Sequence, residues 1–129
     1  MQRDTVGLAL RILGVLQLAQ GAFMVVAPSD FYDLVGPFGV YNDHYIRDVS
    51  TFYLALGAVM LVAADRQGWR APVLAFAALQ AGLHTINHII DVGDADPVGV
   101  GVFDAVSLAA LTALYLWLWR RSEQEVRTA

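Results

Sequence analysis

The chain has 129 residues, a hydrophobic fraction of 57% and a mean hydropathy of +0.53, and its charges cluster between long apolar runs. A water-soluble domain of this length would not carry so much apolar surface. The lack of cysteine excludes disulfides, thiol relays and cysteine-ligated iron–sulfur clusters, and a net charge of −4 argues against nucleic acid as a partner.

A membrane-spanning helix needs about 20 predominantly apolar residues, and four segments meet or approach that length. The first is predicted from Thr5 to Ala27 and is stopped by Pro28-Ser29-Asp30. Arg3, the apolar stretch and the small residues around Ala19 to Ala22 loosely imitate a signal peptide, but Arg11 interrupts the run, so a spanning helix is the better reading. Gly7, Gly14 and Gly21 recur at a seven-residue interval in it, a spacing that keeps small residues on one packing seam. Gln17 and Gln20 are expected to make interhelical hydrogen bonds.

The second segment runs from Asp43, a candidate helix cap, to Ala64, and the third from about Ala71-Pro72 to Val92-Gly93. Gly93-Asp94-Ala95-Asp96-Pro97 has the composition of a solvated turn and lacks the ligand spacing of a dedicated calcium loop. The fourth segment runs from Phe103 to Trp119 and is stopped by Arg120-Arg121, leaving a polar tail at 122–129 expected to be mobile. The expected fold is thus an all-α, integral membrane four-helix bundle occupying 1–121 as one domain.

Arginine sets the expected orientation. Arg3, Arg11, Arg66, Arg70, Arg120, Arg121 and Arg127 fall at one set of helix ends, and only Arg47 falls at the other. Both termini should then be cytoplasmic, with the aspartate-bearing loops outside, as in a multi-pass protein of a bacterial plasma membrane. Trp69, Trp117 and Trp119 sit where an inner aromatic belt is expected.

One constellation could carry chemistry. His84, Asn87, His88 and Asp91 recur on one helical face, and His44, Arg47, Asp48 and Thr51 repeat that spacing on the preceding helix. A short connection makes these two helices antiparallel neighbours, so the two faces could meet at similar depth, with Asp104 joining them. Ionisable side chains at such depth are costly unless they turn inward and find partners. The expectation is an outward-opening polar pocket.

Two histidines at i and i+4 can ligate one metal ion. His84 and His88, with His44 as a third nitrogen, would suit zinc, copper or iron. Asp48, Asp91 and Arg47 are the candidate catalytic side chains beside them. Haem fits less well, because His84 and His88 share a face and cannot bind opposite sides of one ring. The alternative is a purely structural hydrogen-bonded network around Arg47.

The stretch Leu10-Arg11-Ile12-Leu13-Gly14 through Ala27-Pro28 resembles the first helix of the DoxX-like group of small four-helix bacterial membrane proteins. Arg47-Asp48-Val49-Ser50-Thr51-Phe52-Tyr53-Leu54-Ala55-Leu56-Gly57 is similar in character to the second. The resemblance covers the first half of the chain, and the His84-Thr85-Ile86-Asn87-His88 stretch is not part of it. It implies a redox role, since relatives in that group are associated with quinone-linked oxidation.

Two functional classes follow. One is a membrane enzyme whose pocket holds a metal or cofactor and acts by redox or hydrolytic chemistry on an apolar small molecule or a quinone. The other is an accessory subunit or small transporter in which the polar face is structural. Beyond the lipid bilayer, association into homo-oligomers is left open by the sequence. A continuous pore within one chain of this size is not expected.

Overall fold

The computed structural model describes residues 4–127 and is all-helical apart from turns and one isolated bridge. Arg3, counted above for orientation, lies outside the described residues. The elements are α1 (Thr5–Val26), α2 (Pro28–Leu34), α3 (Asp43–Ala64), α4 (Gln67–Ile90), a 3₁₀ turn (Val92–Asp94) and α5 (Val98–Arg127). Four of them, α1, α3, α4 and α5, are long and apolar enough to cross a membrane.

The boundaries have local causes. Asp4 caps α1, accepting from the Gly7 N–H at 2.9 Å. The cap of α3 is Asn42, which accepts from the Tyr45 N–H at 3.0 Å; Asp43, expected in that role, instead accepts from Arg47 one turn on. Pro28, expected to end the first helix, also opens α2, because its ring is already set for a first helical turn. Helix α4 starts at Gln67, earlier than predicted, and carries Pro72 inside it. Helix α5 is 30 residues long and continues to Arg127, so most of the polar tail is helical.

The long helices form two antiparallel pairs, α1 with α3 and α4 with α5, joined mainly along α3 and α4. Gly14 and Gly57 make the first pair close. A Cβ on Gly14 would lie 2.9 Å from the Gly57 carbonyl oxygen, and one on Gly57 would lie 2.7 Å from that of Gly14. Gly21 continues the seam against Leu54, while Gly7 lies under the Arg70 guanidinium.

Packing is uneven along the helices. The core comprises Val6, Leu10 and Leu13 of α1, Leu56, Met60 and Ala63 of α3, Leu74, Ala77 and Ala81 of α4, and Tyr115 and Leu118 of α5. All but Ala81, which lies just past the middle of α4, belong to the half nearer the arginine-bearing ends. There Arg70, 6% exposed at its side chain, forks onto Asp4 at 2.8 and 2.7 Å. It also donates to the Ala64 carbonyl at 2.6 Å and approaches Glu125 at 3.4 Å. One side chain thus gathers the ends of all four long helices. The opposite half is less filled and contains a cavity.

Candidate functional site

The cavity has a volume of about 430 Å³ and is roofed by α2 and the loop after it. Its walls are mostly apolar or aromatic: Met24, Phe31, Phe38, Ile46, Val49, Leu108 and Leu111 among them. Polar side chains interrupt them inside the helices, among them Gln20 of α1, Tyr53 of α3, His84 and His88 of α4, and Asp104 and Ser107 of α5. Gln20 and His84 each lie six residues before the end of their helix, and Asp104 lies six after the start of its own. At 1.5 Å per residue each is about 9 Å below the same end of the molecule, so three helices contribute polar groups to one layer.

Within that layer His84 and His88 face each other, Nε2 to Nε2, at 3.0 Å. Such a hydrogen bond needs one ring to donate and the other to accept, so it holds only while at least one imidazole is neutral. The His88 ring also packs edge-on against Phe38, with ring centroids 4.9 Å apart. Phe38 is fixed from above by an isolated bridge to Ala95 and by the Asp96 N–H donating to the Pro37 carbonyl at 3.2 Å. The two loops at this end therefore close over the histidine pair. Below the cavity, Gln17 donates to the Tyr115 hydroxyl at 3.0 Å, and the Thr85 and Thr112 hydroxyls lie 3.2 Å apart.

Only part of the sequence-predicted constellation comes together here. His84 and His88 line the cavity, as does Asp104. His44 does not: its side chain is 84% exposed and lies 3.4 Å from Asp48. Arg47 is turned outward and pairs with Asp43 at 3.0 Å. Asn87 and Asp91 are exposed. The physical reason lies in the rotation of α3. Its cavity- and core-facing positions are Ile46, Val49, Ser50 and Tyr53, two residues out of step with His44, Arg47, Asp48 and Thr51. Two residues correspond to about 200° around a helix, so burying the apolar set turns the polar set away. Its first-turn position keeps that set near the helix end, where it satisfies itself locally.

Among the described residues, no three His, Cys, Asp or Glu side chains converge closely enough to hold a metal ion. The three-histidine centre expected from sequence is therefore not assembled by this fold. Sequence reasoning missed Tyr53 and Phe38, which sit among many similar aromatics, and read Gln20 only as an interhelical hydrogen-bonding residue.

No curated protein and no solved structure matches the chain. A family model described as a domain of unknown function, DUF4345, matches residues 6–90. The matched stretch holds α1 to α4, and with them Arg70, His84 and His88, while Asp104 on α5 lies beyond it. The match covers more than half of the chain, and the chain belongs to the DUF4345 family.

Proposed function

We propose that this is a multi-pass membrane protein whose cavity binds a small, mainly apolar molecule with a neutral hydrogen-bonding head. The observation that carries the reading is the composition of the cavity wall. An apolar enclosure of about 430 Å³ with a few convergent polar groups has the size and chemistry of a small-molecule site. The histidine pair offers a donor to a carbonyl or hydroxyl oxygen, and Asp104 offers an acceptor to a hydroxyl. Charge on the ligand would be costly at this depth. A quinone or quinol meets these requirements, and the resemblance to the DoxX-like group supports the same choice. The aspartate-bearing end, and so the cavity, is read as extracytoplasmic from the arginine distribution.

Titration of the detergent-purified protein with a short-tailed benzoquinone tests this. The expected result is saturable binding, abolished by Ser107→Trp, which fills the cavity. His84→Ala and Asp104→Asn should each weaken binding about tenfold, the weight of one buried hydrogen bond. Binding that ignores all three substitutions would refute the assignment. A second reading is favoured by the 3.0 Å approach of the two Nε2 atoms: a zinc, copper or iron ion held by His84 and His88. Elemental analysis separates the two, because only the metal reading predicts stoichiometric metal that His84→Ala removes.

A further inference from the structure

A second concavity lies at the other end of the molecule, on the outer surface between α3 and α4. It is lined by Phe52, Ala55, Leu56 and Val59 of α3 and by Trp69, Pro72, Val73 and Phe76 of α4, with almost no polar surface. Each lining stretch, Phe52–Val59 and Trp69–Phe76, rises through seven residue steps, so the slot is about 10 Å long. Its inner end is closed by Phe52 and Phe76, whose ring centroids are 6.0 Å apart. Its other end opens at the α3–α4 connection, among the arginine-bearing helix ends.

The mouth carries a charge that no carboxylate among the described residues pairs. Arg66 is exposed, its guanidinium lies over the Trp69 ring at 5.7 Å, and among the described residues it makes no ion pair with a carboxylate. Its neighbours are already engaged: Asp65 with Arg11, and Arg70 with Asp4, Glu125 and the Ala64 carbonyl. An indole supporting a cation at the edge of an apolar slot matches an amphiphile with a negative head and a hydrocarbon tail. A second copy of the chain would have to cover Arg66 with an acidic group at this end, where arginine predominates.

We propose that the α3–α4 slot binds one acyl chain of an anionic phospholipid, with its phosphate held by Arg66 over Trp69. This site is separate from the cavity at the opposite end and does not depend on what that cavity binds. Arg121 over Trp117, also at 5.7 Å, supplies an internal control, because that stack does not border the slot.

The test is native mass spectrometry of the delipidated full chain, offered phosphatidylglycerol or phosphatidylcholine with the same acyl chains. The expected result is preferential retention of one phosphatidylglycerol. Arg66→Gln should reduce that preference about fivefold, the weight of one basic residue at an anionic surface. Ala55→Phe, which adds bulk at an exposed slot position, should reduce retention of both lipids, and Arg121→Gln should change neither. Equal retention of the two lipids by the wild type would overturn the proposal, as would a preference unaffected by Arg66→Gln. Loss of a dimer in Ala55→Phe, with lipid retention unchanged, would assign the slot to a second copy and overturn it equally.

Discussion

Arg70 shows how much of this fold depends on one planar side chain. Its guanidinium presents two parallel donors to Asp4 and another to a carbonyl at the end of α3, a geometry that lysine cannot reproduce. Asp4→Asn should therefore lower stability by about 1 kcal/mol, the low end for a charge-assisted pair, because Asp4 is half exposed and screened. Thermal unfolding in detergent checks this, and Arg70→Lys should fall in the same direction. The pair also predicts a pH dependence. Hydrogen bonds from Arg70 hold the Asp4 carboxyl below the usual carboxylate range, against the opposing effect of burial. A carboxyl depressed in the folded state adds stability above its unfolded value of about 4 and loses it as pH falls through the lower folded value. The stability gap between wild type and Asp4→Asn should accordingly shrink as pH drops below about 4. Sequence inspection marked Arg70 only as a sign of orientation. Its burial was not legible, since its partner is 66 residues away and no local periodicity links them.

At the scale of elements, the four spans were readable because each is a run of apolar residues about as long as a bilayer is thick. The glycine interval in α1 was readable for a similar reason, being periodic. The partner, Gly57 on α3, has no such period and emerges only from the crossing. Substitution at this crossing places a side chain against backbone, which cannot move aside as a flexible side chain would. Gly14→Ala should cost roughly 1–3 kcal/mol, the range for overpacking a tight contact, and Gly14→Leu should cost more. Gly99→Ala is the control: a Cβ there would meet nothing within 4 Å, and the change should be neutral or slightly stabilising. A thermal melt in which the Gly14 and Gly99 substitutions behave alike would reject the close crossing. The misjudged elements were those set by tertiary contact. Helix α5 runs past its arginines because Glu125 reaches Arg70, and α3 turns its histidine outward because Ile46, Val49 and Tyr53 compete for the inside.

The whole molecule is asymmetric end to end, and its two ends differ in kind. One end is dense, with Arg70 tied to the ends of the other three long helices; the other is hollow and closed by two loops that pair over His88. That difference makes the orientation in the membrane consequential, because it decides which side of the cell can supply the cavity. The orientation proposed above, from the arginine distribution, would put the dense end inside. Since the chain has no cysteine, single introduced thiols report position without background. Val40→Cys, at a residue 92% exposed in the loop over the cavity, should react with a membrane-impermeant maleimide in intact cells. Gly68→Cys, exposed at the α3–α4 connection, should react only after permeabilisation. The reverse pattern would put the cavity on the cytoplasmic side, and any ligand reaching it from the aqueous phase would then be an internal one. Labelling of both sites in intact cells would mean that the long helices do not all cross the bilayer. Neither result would disturb the cavity's internal geometry, which rests on contacts within the chain, so the labelling experiment tests the topology and leaves the site itself untouched.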